Sequence, residues 1–268
     1  TVPPLPGDDA PEAPADPCAA FGALRVCVVG DVMLDRWIWG TVERVSPEAP
    51  VPVVVQGRVV EKPGGAGNVA RGCAALGAAT TVVGLVGDDP EHATLRRLFG
   101  EAGVTQRLVV EAGRPTTTKT RLGDGRRPVA RLDREVTDRA AGETALGLVS
   151  AVRAGVAGAD VVIVSDYGKG VVTPEVFAAV CEAAGDRPVL VDPKAVQQTD
   201  WPQGRLLVRL TGEQVRRSPR ADTDLPVACR RARRCSRRTA CGSSPMRRRR
   251  GCWRSTADRW PTPCTRTC

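Results

Sequence analysis

Residues 63–77 read Pro-Gly-Gly-Ala-Gly-Asn-Val-Ala-Arg-Gly-Cys-Ala-Ala-Leu-Gly, and this stretch decides how the rest of the chain is read. Paired glycines let a backbone approach a ligand closely, because no Cβ stands in the way. The small-residue run from Asn68 to Leu76 predicts a helix ended by Gly77. A glycine-rich turn feeding a helix presents free N–H groups and the positive end of the helix dipole. Asn68, in the first turn, adds an amide that both donates and accepts. The combination suits a polyhydroxylated or anionic ligand.

Outward from this turn, apolar runs alternate with helical patterns. Leu24–Val29 predicts a buried first strand stopped by Gly30, and Thr80–Leu85 a second one after the glycine-rich helix. Helices are predicted over Glu91–Gly100, Glu143–Ala157 and Pro174–Ala184, the last with proline where its missing N–H costs nothing. Asp160–Val164 and Pro188–Val191 read as further strands. Alternation of this kind predicts an α/β fold: a mainly parallel sheet covered on both faces, with ligands beyond the carboxyl ends of its strands. Two stretches break the rhythm. Trp37–Val60 reads as short exposed strands among prolines and charges, and Thr116–Asp133 as a hairpin around Gly123-Asp124-Gly125. Together they predict a small β lid (about 37–60 and 116–133) on the ligand side, suited to excluding water from a reaction.

The ends differ from this middle. The chain has 268 residues and a formal net charge of +9, but residues 209–268 hold 17 Lys+Arg against 4 Asp+Glu, whereas residues 1–208 hold 22 against 26. Residues 1–23 are rich in Pro, Ala and Asp, contain no signal-like or membrane-length apolar run, and read as a flexible leader. Six of the ten cysteines, Cys229 to Cys268, lie beyond Val208, where no apolar period survives. That segment reads as a basic nucleic-acid arm, a zinc module or an out-of-frame translation of GC-rich DNA. The abrupt change after Val208 and the absence of Cys-x-x-Cys favour the last. The scattered cysteines before it fit buried thiols in a reducing cytoplasm. Neither a membrane nor a nucleic-acid partner is expected.

Gly64-Gly65-Ala66-Gly67-Asn68-Val69-Ala70, with Gly77 and Gly87 at their spacings, resembles the N-terminal signature of the ribokinase-like (PfkB) sugar kinases. Within that family, Gly30-Asp-Val-Met-Leu-Asp-Arg-Trp and Arg44-Val-Ser-Pro-Glu-Ala-Pro-Val-Pro-Val are similar to the D-glycero-β-D-manno-heptose-7-phosphate kinases. Thr118-Lys-Thr-Arg, Arg131-Leu-Asp, Ser165-Asp-Tyr-Gly-Lys-Gly and Asp192-Pro-Lys extend the match in order, over residues 24–208. The resemblance implies a three-layer α/β/α kinase domain with a β lid, ATP and Mg²⁺ as cofactors, and a homodimer joined through the lid. It implies transfer of the γ-phosphoryl of ATP to the anomeric hydroxyl, giving heptose 1,7-bisphosphate for ADP-heptose synthesis. It casts Asp35 as the carboxylate gripping sugar hydroxyls, with Gly64, Gly65 and Asn68 completing the cradle. Lys119, Arg121, Arg131 and Lys169 become candidates for the 7-phosphate, since an anion needs Lys or Arg donors. For Arg121, a solvated lid charge is an equal alternative. Asp166 joins the substrate side, and Asp192 and Lys194 are placed near the nucleotide or Mg²⁺.

Rival readings of the glycines are weaker. A dinucleotide fingerprint over Gly65-x-Gly67-x-x-Ala70 needs a strong preceding strand, and Gly57–Lys62 is a charged, lid-like segment instead. No Gly-x-x-x-x-Gly-Lys-Ser/Thr exists, which excludes a P-loop kinase. Another PfkB-family sugar or nucleoside kinase remains the alternative within the family. A non-catalytic sugar-phosphate binder and an Arg-tail nucleic-acid binder are the alternatives outside it. One departure bears on all of these. The family carries a C-terminal Asp-Thr-x-Gly-Ala-Gly-Asp motif whose last Asp deprotonates the attacking hydroxyl. These 268 residues lack it, and Gly87-Asp88 and Gly123-Asp124 do not replace it. No catalytic base is therefore assigned, and the chain as written is expected to be inactive.

Overall fold

Strand Arg25–Gly30 (β1) shows why the chain layers as it does. Its side chains alternate: Val26 and Val28 point into one apolar cluster, Cys27 and Val29 into another, and all four are buried. A strand buried on both faces needs a covering layer on each. The computed structural model describes residues 19–125, 127–194 and 206–208. It supplies those layers with Ala66–Ala75 (α1) and Pro90–Glu101 (α2) on one face, and Gly142–Val156 (α3) and Pro174–Ala184 (α4) on the other.

The remaining strands are Val32–Val45 (β2), Pro52–Gly65 (β3), Ala79–Val86 (β4), Thr105–Val110 (β5), Thr118–Gly123 (β6), Pro128–Arg134 (β7), Val161–Ser165 (β8), Val189–Asp192 (β9) and Leu206–Val208 (β10). The central sheet runs β10-β9-β8-β1-β4-β5 and every pairing in it is parallel. This is the three-layer α/β/α arrangement expected, with β5 as a strand that the sequence reading omitted. Its half-buried, mixed sequence Thr-Gln-Arg-Leu-Val-Val lacks the continuous apolar run of a central strand, as befits the sheet's outer position.

The second sheet is the lid, in the order β3-β2-β6-β7. Here the structure corrects the sequence reading. The stretch read as short exposed strands over Trp37–Val60 is the outer part of two 14-residue strands. These pair antiparallel from Val32↔Gly65 out to Val45↔Pro52, with bulges at Ile38/Gly40 and Val42/Arg44. The lid is thus continuous with the core: β2 leaves β1 after only Asp31, and β3 runs straight into α1. The hairpin expected around Gly123-Asp124-Gly125 is present as β6–β7, and Asp124 accepts the Arg127 N–H at 2.9 Å to close it.

The leader's last residues, Ala19–Ala23, form a 3-10 turn. The expectations for residues 1–18 and 209–268 lie outside the described residues.

Candidate functional site

The glycine turn owes its shape to Asp31. Gly65 has φ +55 and ψ −132, a region closed to residues with a Cβ, and a Cβ there would stand 2.2 Å from the Asp31 carbonyl oxygen. That same oxygen accepts the Ala66 N–H at 2.9 Å. No side chain caps α1, so the next amides of its first turn are left for other acceptors. Gly64 serves a different purpose: a Cβ would lie 2.3 Å from Asp35 Oδ2, so its absence makes room for that carboxylate. Asp35 and the two glycines are therefore brought together, as the sequence reading expects. Asn68 sits in the first turn of α1, exposed, where its Oδ1 accepts weakly from Arg71 at 3.5 Å.

Strand register then sorts the lid charges. Asp35 stands opposite Lys119 of β6 and Lys62 of β3; Trp37 stands opposite Arg121; Arg121 and Lys119 stand opposite Arg131 and Asp133 of β7. Cross-strand partners share a face, so these side chains occupy one face of the lid. Arg121 donates to Asp35 at 2.6 Å and lies 5.3 Å over the Trp37 ring, which stacks on Trp39. The alternative of a solvated lid charge does not hold for Arg121, which is three-quarters buried between a carboxylate and an indole.

Lys119 donates to both Asp133 and Glu135 at 3.1 Å, and Lys169 donates to Glu135 at 2.5 Å. Arg131 forks onto Asp133 at 2.7 and 2.5 Å, but remains half exposed. The ion pairs join Lys119, Arg131 and Lys169 into one network, with Lys119 and Lys169 its most enclosed members. The Arg131 guanidinium, helped by Lys119, holds the Asp133 carboxyl far below the usual carboxylate range. The Lys169 ammonium, with Lys119, does the same in lesser degree for Glu135. With the Arg121–Asp35 pair, four cations share three carboxylates, leaving one positive charge uncompensated.

Two residues at the centre escaped the sequence reading. Asp31 is fully buried, and its carboxylate accepts the backbone N–H groups of Tyr167 (2.7 Å), Lys169 (3.1 Å) and Val171 (3.2 Å). Burial pushes its carboxyl above the ordinary range, although these donors oppose the shift. Its sequence signals were its position directly after β1 and its closing glycine, and its place in the Gly30–Trp37 motif, neither of which gave it a role. Glu135, the hub between Lys119 and Lys169, carried no signal, because its partners come from distant strands and loops.

The remaining candidates gather at the carboxyl ends of β8 and β9. Ser165 and Asp192 are register partners, and Asp166 donates its N–H to the Asp192 carbonyl at 3.1 Å. Asp166 Oδ1 accepts from Gly168 N at 2.7 Å, and a Cβ on Gly168 would meet the Lys194 side chain at 3.0 Å. Asp166, Asp192 and Lys194 thus share one rim, beside the loop after β8 that also carries Lys169. Among the described residues, no group of three or more His, Cys, Asp or Glu could hold a metal by itself. Two acids at one rim suit Mg²⁺, which takes one or two carboxylates and completes its shell with phosphate and water. No helix among the described residues is long and apolar enough to cross a membrane.

Comparison with known proteins bears on this arrangement. The chain is 49% identical over 179 residues to the bifunctional protein HldE of Caulobacter vibrioides, covering 66% of this chain and 36% of that protein. HldE of Azorhizobium caulinodans is 49% identical over 173 residues, with 63% and 36% covered. The chain therefore spans about a third of the length of the curated relatives it matches. Among solved structures, a carbohydrate kinase from Agrobacterium tumefaciens aligns with a TM-score of 0.49 and 20% identity, over 64% of this chain and 54% of that one. The pfkB family of carbohydrate kinases matches residues 23–201, and the chain belongs to that family.

Proposed function

We propose that this domain is the sugar-phosphate half of an ATP-dependent kinase of the heptose-7-phosphate type, acting in the cytoplasm and phosphorylating the anomeric hydroxyl. The observation that carries the reading is the cation surplus of the Lys119–Arg121–Arg131–Lys169 cluster beside a carboxylate, Asp35, seated over a bare glycine. A sugar phosphate presents hydroxyls at one end and a dianion at the other, and this face offers an acceptor and donors in the same order. Lys119 and Lys169 already share Glu135, so a bound phosphate competes with that carboxylate for two enclosed ammonium groups. The motif resemblance of residues 30–37 and 44–53 supports heptose 7-phosphate among the sugar phosphates.

Asp166, Asp192 and Lys194 are assigned to the phosphate end of Mg·ATP, which when bound supplies the phosphoryl group. In this reading Lys194 balances phosphate charge and the two acids orient the metal's shell. The lid strands also expose Val42, Val45, Val55, Val59 and Leu132, which supports a lid-to-lid homodimer, to be checked by light scattering. Residues 1–268 contain no Gly-Ala-Gly-Asp, so a polypeptide of these residues binds substrate without turning it over. Calorimetry with heptose 7-phosphate and with the unphosphorylated heptose tests the substrate class, and tighter binding of the phosphate is expected. Equal affinities would sink it, and tighter binding of another sugar phosphate would reassign it. A coupled ADP-release assay tests the second claim; turnover that disappears in Asp35→Ala would refute it.

A further inference from the structure

One residue touches both halves of the cradle. The Asp31 carbonyl accepts the first N–H of α1 and packs against Gly65, while its carboxylate gathers three N–H groups of the loop after β8. That loop carries Asp166 and Lys169 and is otherwise turned by glycines in the left-handed region, Gly168 (φ +65) and Gly170 (φ +90). Glycines allow such a path but do not select it. Three converging N–H groups on one buried carboxylate do select it, since leaving any of them unpaired in the interior is costly. The loop's far side is closed by the segment after β7. Ala140 donates to the Gly170 carbonyl at 3.0 Å, a Cβ on Gly170 would lie 2.0 Å from the Asp138 carbonyl, and Lys169 reaches Glu135. A small polar cavity of about 10 Å³, lined by Asp31, Arg114, Thr117 and Lys169 among others, leaves room beside Asp31 for roughly one water.

We propose that Asp31 is a positioning residue for substrate phosphate: it fixes the backbone of Lys169 relative to the glycine turn, so that hydroxyl and phosphate recognition are held at one spacing. The inference rests on the sugar-phosphate reading of the Lys119–Lys169 cluster. Asp31 touches no substrate; its effect passes through the loop to the Lys169 ammonium.

The test uses the full chain and two ligands, the sugar 7-phosphate and its unphosphorylated sugar, titrated into wild type, Asp31→Asn, Lys169→Met and the double variant. Asparagine keeps the shape but turns one acceptor into a donor facing an N–H group. Asp31→Asn should weaken the phosphorylated ligand about 10–30-fold while the plain sugar changes less than about threefold. In the Lys169→Met background the same change should add almost nothing, because both act through one contact. Equal losses for the two ligands, or additive losses in the cycle, would overturn the inference and leave the kinase reading intact. A wild type without preference for the phosphate would overturn both. Should Asp31→Asn fail to fold, Gly168→Ala disturbs the loop between the Tyr167 and Lys169 amides with Asp31 intact, and must reproduce the selective loss.

Discussion

The two faces of the lid are both lined with ion pairs, yet they are built to opposite ends. On one face Arg36 pairs with Glu61 and Glu91, and Arg134 with Glu91 and Asp89: two cations against three carboxylates. Asp89 is also the cap of α2 and accepts the Thr116 N–H at 2.8 Å, so this face is tied to the core. On the other face four cations share three carboxylates, and the surplus is positive. One face latches the lid to a helix end with its cations consumed. The other holds four cations in place and leaves one of their charges uncompensated, which is what a site for an anion requires. The number of ion pairs says little about function; their balance and what they are anchored to say more.

The sharpest way to break this contrast is to disturb the turn both faces share. Gly65→Ala forces a Cβ against the Asp31 carbonyl and into forbidden backbone space. A loss of roughly 2–4 kcal/mol is expected, seen as a melting temperature lower by about 5–15 °C. An unchanged melting curve would mean that the turn is not as tightly held as described. Asp35→Ala comes next. It removes the acceptor over Gly64 and strands Arg121, so sugar-phosphate affinity should fall about 10²-fold by calorimetry.

Matched substitutions on the two faces then separate latch from site. Lys119→Met should weaken the phosphorylated ligand about 10–30-fold, because an enclosed ammonium is lost from the surplus. Arg36→Met should cost about 1–3 kcal/mol of stability, because Glu61 and Glu91 are largely buried and lose their partner, yet it should change that affinity less than about threefold, since they face away from the cradle. If Arg36→Met damaged binding as much as Lys119→Met, the two faces would not be functionally distinct.

Much of this contrast was present in the chain before folding, and the rest was not for definite reasons. The parallel core is legible because Val26–Val29, Thr80–Leu85 and Asp160–Val164 are short apolar runs between helices, a signal that needs no partner. Asp35, Lys119, Arg121 and Lys169 are legible by type and by resemblance. What could not be read was pairing. That Arg121 faces Asp35 from 86 residues away, or that Glu135 bridges Lys119 and Lys169, depends on a parallel β2–β6 register that no local pattern encodes. Strand length failed too, because Pro50, Pro52 and Pro63 read as interruptions, although Pro52 and Pro63 lie within an edge strand where a missing N–H is tolerated. Asp31 was passed over because a buried carboxylate looks like any loop acid until its three donors arrive from residues 167–171.

The gentlest probe of the comparison is pH. Glu135 is held below its ordinary 4.5 by Lys169 and Lys119, and Asp133 below its ordinary 3.8 by Arg131 and Lys119. A depressed carboxyl adds stability that is complete above its ordinary value and is lost as pH falls through its folded value. Asp31 runs the other way. Its raised carboxyl favours the fold below 3.8, and that contribution fades as pH rises through the folded value. As pH falls below 4.5 the contribution of Glu135 should therefore decline, and once the folded carboxyl takes up a proton both lysines are released, while Asp31 partly offsets the loss. Melting temperatures across this range should fall less steeply in Glu135→Gln than in wild type, by about 2–4 °C at the acid end. Parallel profiles would mean that the Lys119–Glu135–Lys169 bridge contributes nothing to holding the lid against the loop. The surplus on that face would then be a fixed feature of the sheet, independent of its contact with the core.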